Sequence, residues 1–196
     1  FKNSLITTLV ALVFIVFFSV TVGFAVTKMK WKFRNAVAQY FRFGIMIPVA
    51  IALIPLFQIY SRSNLLNTRT CLIITYIAFG LSLSIYLVQG YLRSFPDDIM
   101  EAAVIDGAGP ISLFFKIIMP LLKPTMVTCF ILQFMGVWSD FLTPLYLSSK
   151  SKMFPMTMAV YQFFGKNKSY WNYIFADILL TCIPVVIVYM IGQKYI

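Results

Sequence analysis

The residues able to do chemistry are few, and most of them sit together. The chain of 196 residues has six carboxylates, and four of them, Asp97, Asp98, Glu101 and Asp106, fall in one short stretch. No His occurs, so the commonest acid–base and metal-binding side chain is absent. Cys71, Cys129 and Cys182 stand singly in or beside apolar runs, with no C-x-x-C pair, so neither zinc nor a redox couple is indicated. They read as small buried hydrophobes. There is no G-x-x-x-x-G-K phosphate loop, no H-E-x-x-H and no G-x-S-x-G. The expectation is a chain without catalytic activity, holding no metal or cofactor of its own.

The acidic stretch, Ser94 to Lys116, reads instead as a mechanical element. Ser94 can cap the Asp97 amide, with Asp97 reaching back as in a capping box, and Pro96 fits a first turn. Asp97 and Asp98 sit where a helix dipole favours negative charge. Ile99, Met100, Ala103 and Val104 share one face of the short helix that follows, and Asp98 and Glu101 share another. Gly107 is a natural helix terminator, and Gly109-Pro110 opens a second short helix. Two short helices with a sharp bend make a compact knob rather than a flexible tether.

Two polar stripes run through apolar segments at helical spacing. One is Thr75, Ser82, Tyr86 and Gln89; the other is Thr125, Cys129, Gln133, Gly136 and Asp140. Polar groups inside a membrane face protein or a water-filled cavity. Tyr and Trp stack on sugar faces, and Gln and Asp bond hydroxyls, so Tyr76, Tyr86, Gln133, Trp138 and Asp140 are candidates to line a solute path. The same stripes also suit plain helix–helix packing.

The elements that position these residues follow from composition. The chain is 61% hydrophobic and only 11% charged, where soluble domains carry about 25% charged residues. Lipid must be the main solvent. Five apolar runs, about 5–26, 40–60, 71–91, 117–141 and 173–193, each approach the ~20 residues that cross a bilayer as a helix. The predicted fold is a single all-α domain over 1–196, a polytopic transmembrane helical bundle of five spans with a loop knob at 94–116 and a long aromatic connection at 142–172. Pro48 and Pro55 lie seven apart on one face of the second run, and Pro184 interrupts the fifth, so kinks are expected. The net charge of +10 falls in short loops beside apolar runs, which indicates lipid headgroups and not nucleic acid. The dense cluster Lys28, Lys30, Lys32 and Arg34 puts the 27–39 connection, and with it the 92–116 loop, on the cytoplasmic side. The other side holds Lys2, Arg62, Arg69, Lys150, Lys152, Lys166 and Lys168, so the margin is thin. The ends look cut, since Phe1 is not an initiator Met.

Glu101-Ala102-Ala103-Val104-Ile105-Asp106-Gly107-Ala108, followed by Phe115, Ile118, Pro120 and Pro124, resembles the EAA loop of binding-protein-dependent ABC importer permeases. Trp138-Ser139-Asp140-Phe141-Leu142-Thr143-Pro144 resembles the W-N-D-F-L-x-P segment of carbohydrate-importer permeases of the maltose-permease type, with Ser139 in place of Asn. The resemblance implies that the family's first helix precedes Phe1. It implies that Glu101, Ala102, Ala103, Asp106, Gly107 and Ala108 form the coupling helix and its bend. Glu101 would meet polar groups of an ATPase cleft, Ala102 and Ala103 would permit close approach, and Gly107 the turn. The implied partners are an ABC ATPase subunit holding ATP and Mg, a second homologous permease, and an external solute-binding protein docking on the 142–172 segment. The implied location is a prokaryotic cytoplasmic membrane. An ion-coupled secondary transporter is the rival reading, but Asp140 and Asp177 approach the spans only near their ends. A non-transporting membrane scaffold is the other.

Overall fold

The computed structural model describes residues 1–148, 153–163 and 170–195, and every regular element among them is helical. Lys150, Lys152, Gly165, Lys166 and Lys168 lie outside the described residues.

Helix α1 spans Lys2–Thr27 and is apolar on every side, so hydrophobicity does not choose its buried face. Size does. Ser4, Thr7, Thr8, Ala11, Ser19 and Gly23 turn inward, while Val13, Phe14, Phe17 and Phe18 face outward. A helix in lipid gains from close backbone approach, and small residues permit it. Helix α4, Arg69–Ser94, lies along α1 and is capped by Thr68, whose hydroxyl accepts from the Cys71 amide at 3.2 Å. A Cβ on Gly23 would lie 2.5 Å from Val88 Cγ1 on α4, and Val88 is fully buried. Gly23→Leu is therefore expected to push α1 off α4 and destabilise the bundle by ~1–3 kcal/mol. A lowered thermal midpoint of the purified protein would show it.

The second apolar run does not form one helix. Helices α2 (Arg34–Met46) and α3 (Val49–Arg62) meet at 103°. Ile47 precedes Pro48 and is extended (φ −86°, ψ 112°), as the proline ring requires of its neighbour. Pro48 thus breaks the run that was expected to be merely kinked, and only Pro55 lies inside a helix. The fourth run is bent too. Beyond α5 (Asp98–Ile105) come α6 (Pro110–Leu113), a π-helical turn at Phe114–Ile118 and α7 (Met119–Leu121). This arm meets α8 (Lys123–Trp138) at 67°, with Pro120 and Pro124 in the first turns of α7 and α8. The regular helix of this run ends at Trp138 rather than at 141.

Short helices α9 (Leu142–Leu147) and α10 (Met156–Ala159) precede α11 (Trp171–Gly192), which contains Pro184. Among the described residues three helices, α1, α4 and α11, are long and apolar enough to cross a membrane unbroken, and the two bent pairs, taken as one span each, raise the number to five. The molecule is a polytopic helical membrane bundle. Cys71 and Cys129 are buried as expected, but Cys182 is exposed on α11, whose outer faces carry large apolar side chains.

Two apolar clusters mark the two ends. Near the α5 loop, Val20, Phe24, Leu92, Phe114, Ile118 and Leu122 pack together. At the opposite end, Ile15, Leu53, Tyr60, Leu72, Tyr76 and Leu147 do so. The Tyr60 and Thr75 hydroxyls, 3.0 Å apart, tie α3 to α4 within that end.

Candidate functional site: a loop knob and a cavity at opposite ends

Helix α5 is short, and its bend is fully specified. The Ala108 N–H donates to the Ala103 carbonyl and the Gly107 N–H to the Val104 carbonyl, at 2.9 and 3.0 Å. This pair of bonds is the Schellman ending, and it needs a left-handed residue after the helix. Gly107 supplies it with φ +84°. The start of α5 differs from the capping box expected. Ser94 ends α4, and its hydroxyl donates to the Tyr91 carbonyl at 2.8 Å. Asp97 occupies the cap position of α5 without a side-chain bond to the helix, because its carboxylate is engaged elsewhere.

That engagement is with Lys28, the residue after α1. Its ammonium donates to the Asp97 carboxylate and to the Phe95 carbonyl, the latter at 2.8 Å. The bond fastens the α1 end to the α4–α5 junction, so the 27–39 connection and the 92–116 loop share one side. The Lys28 hydrogen bond, then its charge, with Lys30 adding, hold the Asp97 carboxyl below its ordinary value of 3.8. A carboxyl whose folded pKa is depressed contributes stability above its unfolded value. This contact is therefore expected to be intact at neutral pH and lost as pH falls through the lowered value. Proteolysis within 94–98 that accelerates only in strong acid would show it.

The face expected to be apolar splits in two. Met100 and Ala103 pack onto the loop-side cluster, and Ala103 is 7% exposed. Ala103 therefore permits close approach to its own bundle and is not presented outward. Ile99, Val104 and Ile105 are exposed together with Asp98, Glu101, Ala102 and Asp106, and Ile105 reaches 84%. Met100, Glu101, Val104 and Ile105 line a shallow depression on this surface. Phe115, on the π turn, is also exposed, while Phe114 is buried with its ring 5.5 Å from Phe24.

At the other end, Tyr76 and Gly80 of α4, Gln133 and Gly136 of α8, Asp140, and Val49 of α3 line a cavity of about 330 Å³. Both polar stripes contribute to it. Gln133 Nε2 donates to the Gly80 carbonyl at 3.1 Å and to Ser84 Oγ at 3.2 Å, so this side chain packs helices and lines the cavity at once. Asp140 Oδ1 accepts from the Leu142 and Thr143 amides at 3.1 and 3.5 Å. Its Oδ2 is buried, with the Tyr76 side chain beside it in the cavity wall.

Two candidates fall outside the cavity. Trp138 is 1% exposed, stacks on Phe134 with centroids 5.4 Å apart, and donates through Nε1 to the Thr181 carbonyl at 2.9 Å. It is the anchor of α11, since one helical step from Val137 turns it to the far side of α8. Tyr86 is half exposed and absent from the cavity wall. Ser82 meets Gly44 of α2, and Gln89 is buried with its Nε2 unpartnered among the described residues.

The family model described as binding-protein-dependent transport system inner membrane component matches residues 15–196. The chain belongs to this family. Within it, the chain is 33% identical over its full length to the diacetylchitobiose uptake system permease protein of Streptomyces coelicolor, of which it spans 66%. It is 32% identical over 99% of its length to the probable starch degradation products transport system permease protein AmyC of Thermoanaerobacterium thermosulfurigenes, of which it spans 70%. The chain thus spans about two thirds of the length of these relatives. Its fold matches a solved bacterial ABC transporter that imports the acidic polysaccharide alginate (TM-score 0.86, 23% identity, 100% of this chain and 73% of that one). It also matches the inward-facing methionine ABC transporter MetNI (TM-score 0.77, 17% identity, 98% and 91%). As a binding-protein-dependent inner membrane component, the chain is a multi-pass membrane protein, a permease and not a catalytic subunit.

Sequence reasoning missed Lys28 as a partner of the loop and Val49 as cavity wall. No signal pointed to either, because each contact is made across the fold and not within a segment.

Proposed function

We propose that the chain is a permease subunit of an ATP-driven importer of sugars or oligosaccharides, forming half of a translocation path. The carrying observation is the pairing of an outward-facing α5 knob at one end with a cavity at the other, largely apolar, into which a few polar groups converge. Glu101, Ala102, Asp106 and Gly107, with the exposed Val104 and Ile105, seat in a separate ABC ATPase that holds ATP and Mg. Ala103 and Ala108 fix the knob to its own bundle. A rigid helix in a cleft transmits displacement, which a flexible loop cannot. Tyr76, Gln133 and Asp140 line the solute path. A second homologous permease completes the path, and an external solute-binding protein delivers to the side on which α9 and α10 lie. The sugar assignment is supported by relatives named for diacetylchitobiose, for starch degradation products and for melibiose, raffinose and stachyose.

The deciding experiment is uptake by cells carrying the whole transporter. Uptake that persists when the proton gradient is collapsed and stops on ATP depletion supports this reading; the reverse overturns it in favour of ion coupling.

Gln133→Leu removes the bonds to Gly80 and Ser84, interhelical contacts of about 0.6 kcal/mol each in a membrane. The complex should remain assembled with a slightly lower thermal midpoint, while uptake falls severalfold. Unchanged uptake would remove Gln133 from the path.

A further inference from the structure

Helix α5 is joined by chain to α4 and, through α6, to the arm that leads into α8, yet it is fastened to α1 as well. The Lys28 side chain is only 8% exposed, although it carries a full charge. A buried ammonium requires partners, since losing one leaves a desolvated charge. It has two, the Phe95 carbonyl and the Asp97 carboxylate, on the linker that enters α5. Moving that linker away from α1 would break both at once. An exposed ion pair would yield to such a movement at little cost. This one is partly shielded on the lysine side, where the side chain is 8% exposed against 70% for Asp97, so the ammonium bears most of the cost of separation. Phe24, one turn earlier on α1, strengthens the attachment by packing in the same cluster as Ala103 and Phe114.

The middle of α1 abuts the cavity wall. Ile15 packs against the backbone of Gly80, where a Cβ would lie 2.7 Å from Ile15 Cδ1. Gly80 is cavity wall, and its carbonyl receives Gln133. Thirteen residues of continuous helix separate Ile15 from Lys28, a rod of about 20 Å at 1.5 Å per residue. No proline or other break interrupts α1.

We propose that Lys28 is a positioning residue for transport: it makes α1 a second lever, carrying displacement of the coupling helix to the cavity wall at Gly80. The inference rests on the reading of α5 as the coupling helix. Displacement of α5 by the ATPase draws the Phe95–Asp97 linker, and Lys28 passes that movement into α1. Ile15 then shifts against Gly80 while α4 moves by its own covalent link. Without Lys28, α5 drives only the elements it is joined to by chain, α4 on one side and the α6–α8 arm on the other.

The test uses the assembled transporter in proteoliposomes and reads solute taken up per ATP hydrolysed, so that a loss of assembled complex cancels. Lys28→Met should lower that ratio by about tenfold, within the range of coupling between linked sites. Lys28→Arg keeps both donors and should stay near the parent. Asp97→Asn keeps the Phe95 bond and should fall between. Exchange of the pair, Lys28→Asp with Asp97→Lys, should recover part of the loss. Glu101→Lys is run alongside. If Lys28→Met keeps the parent ratio while Glu101→Lys lowers it, the lever is wrong and the coupling helix stands. If both keep it, the coupling reading itself falls. If Lys28→Met lowers uptake and hydrolysis in equal proportion, Lys28 is only structural and the proposal is overturned.

Discussion

Gly107→Val is expected to leave the bundle folded in the membrane and to abolish transport. Gly107 has φ +84°, where a β-branched residue is strained by about 1–3 kcal/mol. Nothing lies within 4 Å of a Cβ built there, so the strain comes from the backbone and not from crowding. Relief requires unwinding the Schellman ending, which frees the Ala103 and Val104 carbonyls and lets α5 swing relative to α6. The apolar clusters do not include Gly107, so the helices α1, α4, α8 and α11 keep their packing. Uptake should fall at least tenfold, since a misplacement of about 1 Å in a positioned element can cost a hundredfold. Gly107→Asn is the control, because Asn tolerates the left-handed region, and it should retain most activity. Uptake by the Val variant at the parent level would mean that the bend is dispensable.

Asp140→Ala should have the next largest effect, at the other end of the molecule. Asp140 Oδ1 holds the Leu142 and Thr143 amides, the first two of α9, and its backbone carbonyl accepts from Thr157 Oγ1 at 2.8 Å. Loss of a cap of this kind costs about 1 kcal/mol. The larger consequence is geometric. Leu142 and Thr143 are cavity wall, so an uncapped α9 loosens the wall itself. Uptake is expected to drop about tenfold, the equivalent of 1.4 kcal/mol. Asp140→Asn keeps an acceptor for the two amides and should lose less. Equal loss in both variants would show that the carboxylate charge matters and the cap does not.

Much of this arrangement could be read before any coordinates. Lipid as the solvent followed from a chain with too few charges to cover a surface. The turn at Gly107 followed from a glycine after a small amphipathic helix, because helix endings are local. Local signals failed where a distant group competed. Asp97 was expected to cap its own helix, but Lys28, sixty-nine residues earlier, takes its carboxylate. Pro48 was read as a kink, yet a proline with an extended predecessor and no restoring neighbour breaks the helix outright. Of the polar stripes, Thr75, Ser82, Gln89, Cys129 and Gln133 are buried while Tyr86 is exposed, and Tyr76, Gln133 and Asp140 meet around one cavity. Trp138 could not be placed by chemistry alone. A Trp that stacks on a sugar and a Trp that anchors a helix look alike in sequence, and only the direction of its N–H to the Thr181 carbonyl separates them.

The most direct test of the account asks what touches α5. Ile105→Cys places a thiol at an exposed point of the knob, in a background with Cys71, Cys129 and Cys182 replaced by Ser. A benzophenone maleimide attached there and photolysed in the intact transporter should yield an adduct with the ATP-binding chain. The same label at Leu179→Cys, on the lipid-facing side of α11, should yield none. An ATPase adduct confined to Ile105→Cys is the result predicted. Adducts at neither site, or at Leu179→Cys alone, would contradict the claim that the Glu101–Gly107 knob is where the motor is seated.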